Sequence, residues 1–229
     1  LVARYKTLTN PNLKSETSDA FEVGLKGRPT RPLTVRAAAF FTRYDEFIEQ
    51  IVSTGVCDPA WPAGVFQTQN RANARIYGGE ISARYTIGGG LSATAAAGYA
   101  KGSYQTADGA RVPLTTIEPF KLNAALAYAA RSGRWGTALA AAFADGKRPG
   151  TGTVFRAPGF AVFDLTGWWR LGERASLNLG LYNLTDRQYW RYASIRGIAA
   201  TNAAEQQRRT EPGFNTALGT FSPNLCGGF

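Results

Sequence analysis

The chain has no histidine and no methionine, and only two cysteines in 229 residues. Without histidine it cannot build a Ser-His-Asp or Cys-His catalytic site or an imidazole-bearing metal cluster. Cys57 and Cys226 are too far apart in sequence to suggest a metal pair. No catalytic residue, no resident metal and no enzymatic role are expected. Long apolar runs are missing too: no stretch of about 18 apolar residues exists, so no helical membrane span is predicted. There is no Walker-type phosphate loop, and Ile87-Gly88-Gly89-Gly90 reads as a hairpin turn. The net charge is +10 and the isoelectric point is near 9.9, yet the basic residues are dispersed, with no basic run interleaved with aromatics. Nucleic-acid binding needs a concentrated patch, so no nucleic-acid partner is expected. Such charge suits a wet lumen, anionic lipid headgroups or an anionic ligand.

What the chain has is alternation. In a strand, successive residues face opposite sides. Phe21, Val23 and Leu25 oppose Glu22, Gly24 and Lys26. Tyr77, Ile81, Ala83, Tyr85 and Ile87 oppose Gly78, Glu80, Ser82, Arg84 and Thr86. Phe163, Leu165 and Trp169 oppose Asp164, Thr166 and Arg170, and Leu177, Leu179 and Leu181 oppose Ser176, Asn178 and Tyr182. This period persists for about ten residues, the length that crosses a bilayer at a tilt. A soluble β-sandwich also alternates, but its strands are usually about five or six residues long. Aromatic residues cluster near the segment ends (Phe41, Tyr44, Tyr99, Trp135, Trp168, Trp169, Tyr189 and Trp190), as interfacial girdles require. The predicted class is all-β, an antiparallel transmembrane β-barrel.

The breaks between segments are of two kinds. Tight turns are predicted at Arg28-Pro29-Thr30-Arg31, Gly88-Gly89-Gly90, Arg131-Ser132-Gly133-Arg134 and Gly172-Glu173-Arg174. Long polar loops are predicted near 54–66, 103–118, 146–158 and 187–211. Short turns on one side and long loops on the other are the rhythm of outer-membrane barrels. About nine strands are expected, the last near 214–221. If the chain ends on the periplasmic side, all four long loops are extracellular. Cys57 and Cys226 then lie at opposite ends of a slab roughly 25 Å tall, far beyond the roughly 7 Å that a disulfide spans between Cα atoms. The odd strand count, the lack of methionine and the lack of a signal peptide lead to the expectation of a piece of a longer chain. Pro223 cannot donate to a ladder, so 222–229 is read as a tail after the last strand.

Four segments carry a family resemblance. Asn10-Pro11-Asn12-Leu13-Lys14-Ser15-Glu16 resembles the stretch that leads into a descending strand in TonB-dependent outer-membrane receptors, with Ser15 where that family usually has proline. Ala74-Arg75-Ile76-Tyr77-Gly78-Gly79-Glu80 and Ala157-Pro158-Gly159-Phe160 resemble two further recurrent segments. Asn183-Leu184-Thr185-Asp186-Arg187-Gln188-Tyr189-Trp190 is similar to the signature near that family's C-terminus. The run of segments looks most like the haem, haemoglobin and transferrin branch. Phe155-Arg156-Ala157-Pro158 matches a haem-receptor box in letters only, in the wrong order. The resemblance implies a 22-stranded barrel of which residues 1–229 supply about the last nine strands, with the plug domain and the contact to the TonB energy-coupling complex lying outside this chain. It implies active uptake of haem or haemoprotein-derived iron. A ferric-siderophore receptor and a passive outer-membrane porin remain alternatives. Lipid and lipopolysaccharide are the implied surroundings, and haem or a ferric siderophore is implied as transported ligand rather than permanent cofactor.

Within this frame the loops hold the candidate ligand contacts. Lys147, Arg148 and Arg156 lie in one loop, and Arg191, Arg196, Arg208 and Arg209 lie in another. Haem propionates and siderophores are anionic, and the guanidinium fork suits carboxylates. Contact with lipopolysaccharide phosphates is the competing use of these cations. Tyr104 and Tyr192 are the candidates for an iron-ligating phenol. Asp45 and Glu46 face opposite sides of a strand and read as rim charges. Glu80 and Arg84 share a face, and a salt bridge between them is expected.

Overall fold

The computed structural model describes residues 5–62, 64–106, 109–147, 153–173 and 175–221. Eleven strands form: β1 (Lys6–Leu8), β2 (Thr17–Thr30), β3 (Leu33–Ser53), β4 (Val65–Gly88), β5 (Leu91–Gln105), β6 (Arg111–Pro113), β7 (Lys121–Ala129), β8 (Trp135–Ala144), β9 (Phe160–Arg170), β10 (Ser176–Tyr182) and β11 (Asn215–Phe221). Two short helices, α1 (Tyr192–Ile195) and α2 (Ala203–Arg208), sit before the last strand. One sheet runs in the order β11-β10-β9-β8-β7-β5-β4-β3-β2. The short β6 pairs with the end of β5, and β1 runs parallel to the start of β4. The chain is all-β, and its long pairings from β5 to β11 are antiparallel.

Two compact units divide the chain. The first gathers residues up to Glu22, Phe40–Tyr77 and Lys101–Leu114; the second gathers Val23–Ala39, Gly78–Ala100 and the residues from Thr115 onward.

In the second unit the register sorts the side chains. Leu126 stands opposite Leu139, Leu139 opposite Leu165, and Leu165 opposite Leu181. All four are exposed, and so are Val23, Ile81, Leu179 and Leu218, up to 72 % for Val23. A continuous apolar face this large demands a cover. Lipid supplies it for a barrel strand, because every backbone group is satisfied in the ladder and only the side chains meet hydrocarbon. The other face carries small and polar residues: Ala125 opposite Ala140 and Ala140 opposite Asp164, with Ala138 opposite Thr166. Two large aromatics on that face, Trp168 and Tyr182, lie over glycine. A Cβ on Gly136 would come within 2.7 Å of the Trp168 indole, and one on Gly180 within 2.6 Å of the Tyr182 ring. The glycines make room for rings that would otherwise fill the space above the sheet.

Two sequence expectations shift. The first tight turn lies at Arg31-Pro32, not at 28–31, because β2 continues through Pro29 to Thr30. Pro29 is the second-last residue of β2, where its missing N–H removes at most one bond from the end of the ladder. β3 and β4 are 21 and 24 residues long, about twice the 9–11 residues that cross a bilayer. They run up to the loop expected near 54–66, whose ends are tied by Thr54 N–H donating to Val65 O at 3.0 Å. The glycine turn stands as expected, with φ of 105°, 63° and 93° at Gly88, Gly89 and Gly90. No ion pair joins Glu80 to Arg84 among the described residues. Four residues along a strand is roughly 13 Å, so sharing a face does not bring the two together. Cys57 is exposed and unpaired in the loop after β3, and Cys226 and the tail 222–229 lie outside the described residues.

The face assignment has a direct test. In a receptor containing this chain and inserted in lipid vesicles, Leu139→Arg is expected to cost about 2–4 kcal/mol. Ala140→Arg, one residue along on the other face, should stay within about 1 kcal/mol. Urea titrations followed by tryptophan fluorescence measure both, and equal costs would refute the assignment.

Candidate functional site

The strand-end turns hold the loops in place. β10 stops at Tyr182, and Asn183 and Asp186 follow with φ of 51° and 48°. Asparagine and aspartate tolerate this left-handed region better than other side-chain-bearing residues. Asn183 is 4 % exposed, and its amide is fully used. Nδ2 donates to the carbonyls of Arg187 (2.9 Å) and Pro212 (3.1 Å), and Oδ1 accepts from Arg187 N–H (2.9 Å). The Asn183 N–H donates to Asp164 Oδ1 at 2.7 Å, and the Leu184 N–H donates to Phe163 O at 2.8 Å. Asp186 Oδ1 accepts from Phe214 N–H at 2.9 Å. It would lie 2.5 Å from a Cβ on Gly213. The Asn-Leu-Thr-Asp turn thus stitches β9, β10 and the approach to β11 together through Asn183 and Asp186.

Beyond the turn, residues 187–211 fold back as a roof. Ile195 is the largest fully buried side chain, at 1 % exposure. Tyr189 stacks on Phe160 with centroids 4.4 Å apart, and Phe155 meets Trp190 edge-on at 5.3 Å. A bridge between Val154 and Ala199, with Phe155 N–H donating to Ile198 O at 2.7 Å, ties this roof to the preceding loop. Two side chains then reach the 115–117 backbone. The Tyr192 hydroxyl donates to Thr115 O at 2.7 Å, and Lys147 Nζ donates to Ile117 O while lying 5.0 Å above the Tyr192 ring. Burial raises the Tyr192 pKa, partly offset by Arg196; burial lowers that of Lys147, opposed by Glu118 and reinforced by Arg196. Tyr192 is therefore a protonated strut inside the roof.

A cavity of about 350 Å³ lies beneath. Its wall includes the aromatics Phe160, Tyr189, Trp190 and Tyr192, the acids Glu118, Asp145 and Asp164, and the cations Lys121 and Arg191. Arg191 and Tyr192, both singled out from sequence, meet here. Arg191 is ion-paired with Glu211 at 3.3 Å. Arg196 and Arg156 are exposed on the same group of loops. Arg208 and Arg209 both pair with Glu205, and these bonds lower the Glu205 pKa. Arg148 lies outside the described residues. Tyr104 belongs to the first unit, half-buried in β5 opposite Val112.

The other motif also has structural work. In the first unit, Asn10 Nδ2 donates to Thr68 O (3.0 Å) and its Oδ1 accepts from Asn12 N–H (3.1 Å), closing a turn over Pro11; the Leu13 N–H returns to Asn10 O (3.3 Å). Asn70 holds Lys14 through both backbone groups (2.8 and 3.0 Å) and also donates to Glu46 O at 2.7 Å. Glu46 has a φ of 55°, and its carboxylate pairs with Lys14 at 3.0 Å. Glu16 accepts from Ile48 N–H at 2.7 Å. Asn70 was not singled out from the sequence. It stands in the polar run Gln67-Thr68-Gln69-Asn70, where nothing in the pattern separates it from its neighbours. Asp164 did carry a signal, as the lone acid in the apolar stretch 160–169.

A meandering sheet with one lipid-suited face, one polar face and folded loops at its strand ends is the wall of an outer-membrane transport barrel. The chain belongs to the TonB-dependent receptor family, whose model "TonB dependent receptor-like, beta-barrel" matches residues 2–184. Its place is the bacterial outer membrane, and the family consists of transport receptors. Hemoglobin-haptoglobin utilization protein B of Neisseria meningitidis serogroup C is 27 % identical over 89 % of this chain and 30 % of its own length. Hemoglobin-haptoglobin-binding protein A of Haemophilus influenzae is 28 % identical over 90 % of this chain and 22 % of its own length. Among solved structures, the FrpB iron transporter from Neisseria meningitidis (F5-1 variant) superposes with a TM-score of 0.72 at 15 % identity, over 93 % of this chain and 32 % of its own. The copper transporter OprC does so at 0.70 and 24 %, over 91 % of this chain and 31 % of its own. These two likenesses show the fold. The chain spans less than a third of the relatives it matches.

The stitch and the strut make separate predictions. Asn183→Ala should destabilise by about 1–3 kcal/mol, since Arg187 N–H and the Arg187 and Pro212 carbonyls lose partly buried partners. Asn183→Gly should cost nearly as much, because it relieves the left-handed φ without restoring those bonds; chemical denaturation of the receptor measures both. Tyr192 holds its proton more tightly when folded than when free. Its contribution is therefore complete below pH 10.0 and is lost as pH rises through the raised folded value. In a 295 nm absorbance titration, the difference between wild type and Tyr192→Phe should appear above the exposed tyrosines. Titration together with them would contradict the buried placement.

Proposed function

We propose that this chain is the C-terminal barrel part of an outer-membrane receptor that imports an iron carrier, haem or haemoprotein-derived iron, with energy supplied through TonB. The observation that carries the reading is that relatives named for haemoglobin and haptoglobin align over 89–90 % of the chain. The loop chemistry supports it. Exposed Arg156 and Arg196, beside Arg191 at the aromatic cavity, offer planar cations to propionate carboxylates. Arg148 is placed in the same group by its position in the chain. Tyr192 supports the roof, and Tyr104 is the remaining phenol candidate for iron. In this reading residues 1–229 supply about nine strands of a 22-stranded barrel. The plug domain, the remaining strands and the contact with the TonB complex lie in the rest of the protein, and lipid and lipopolysaccharide surround the barrel. A ferric siderophore is the second candidate cargo, and a passive porin is the contrasting mechanism.

In the full-length receptor, haem is expected to shift its Soret band on binding, and Arg191→Ala with Arg196→Ala should weaken that binding about tenfold, about 1.4 kcal/mol. A shift for no haem species, with tight binding of a ferric siderophore instead, would move the cargo assignment. Uptake that continues when TonB is removed would favour the porin.

A further inference from the structure

Three arginines face the polar side of the sheet in the second unit without an acid to answer them. Arg28 comes from β2, Arg36 from β3 and Arg84 from β4, and all three line one cavity of about 650 Å³. Among the described residues none of the three has a carboxylate within ion-pair distance or a hydrogen bond to another side chain. Glu80 lines a neighbouring recess beside Arg36 but pairs with none of them. Asp164, the carboxylate in the wall of the cavity itself, already accepts from the Asn183 N–H.

The rest of the wall is built to leave space. Ala125 and Ala140 stand there as methyl groups, and Thr34, Ser82 and Thr94 add small hydroxyls. Three permanent cations on adjacent strands repel one another, and all three are exposed to the recess. A soluble surface would separate such charges or intersperse acids. Here the sheet gathers guanidinium groups, whose planar forks match carboxylate geometry, around an open recess.

We propose that Arg28, Arg36 and Arg84 form a carboxylate-binding site on the lumenal face of the barrel wall. It is separate from the loop cavity, although both cavities touch Asn123 and Asp164. The carboxylate has two possible sources: an anionic cargo crossing the lumen, or acidic side chains of polypeptide enclosed by the barrel. Only the first source rests on the uptake reading above.

The test uses the full-length receptor in detergent and phenylglyoxal, which modifies accessible arginine, with each site read by mass spectrometry against Arg131 in an exposed turn. Succinate, haem and haem dimethyl ester are the added probes, and Arg28→Gln/Arg36→Gln/Arg84→Gln is the variant. If cargo supplies the carboxylate, succinate and haem slow modification of the three arginines at least tenfold and the ester does not, while the variant keeps the wild-type melting temperature. If enclosed polypeptide supplies it, the three are at least tenfold slower than Arg131 with nothing added, and the variant melts several degrees lower. The proposal is overturned if the three react like Arg131 whatever is added, or if they are slow without additions but the variant melts like wild type. Absence of any haem Soret shift removes the haem cargo alone, since succinate protection and variant melting still report the site.

Discussion

Hydrocarbon offers no hydrogen bonds, so every backbone N–H and C=O that crosses a bilayer must find its partner in the protein. The rest of this structure depends on that constraint. It forces the chain into continuous ladders, and ladders force side chains to alternate. The leucine row from Leu126 to Leu181 and the alanine-rich face behind it are two consequences of one pairing register. The same constraint explains why so few apolar side chains are buried. A barrel wall is one sheet thick, and lipid takes the place of a second packed layer.

Because the sheet provides no interior of its own, order at the strand ends has to come from side chains. Two asparagines do this, one in each unit. Asn183 joins the end of β10 to the residues before β11, and Asn70 joins the Asn-Pro-Asn-Leu turn to the left-handed residue Glu46. In both places the amide serves as donor and acceptor at once, so that one side chain replaces several backbone bonds that an irregular loop cannot make for itself. The motifs that mark this family are thus architectural.

Legibility from sequence followed how local each determinant is. The glycine turn at 88–90 was readable because positive φ is a property of single residues. The strand faces were readable because alternation is counted along the chain. The turn at Arg31-Pro32 was misplaced because a proline reads as a break by itself, whereas Pro29 still lies within the last residues of β2. The loop near 54–66 was readable because its proline and glycine residues break the alternation on both sides. The Glu80–Arg84 pair failed on distance: a shared face was legible, but the spacing along a strand leaves the two charges apart. Among the loop candidates, Arg191 and Tyr192 came together at one cavity, while Tyr192 proved to be tied inward by its hydroxyl.

The sequence by itself determined that the chain is a meander of membrane-facing strands without helical spans or histidine chemistry, because alternation, turn residues and composition are local quantities. It also carried the family. Only the tertiary structure decided that Asn183 and Asn70 act as stitches, that Lys147 and Tyr192 hold the 115–117 backbone, and that Arg28, Arg36 and Arg84 share a recess. Each of these depends on which strand or loop lies beside which, and that neighbourhood is set by pairing across tens of residues that no local pattern encodes.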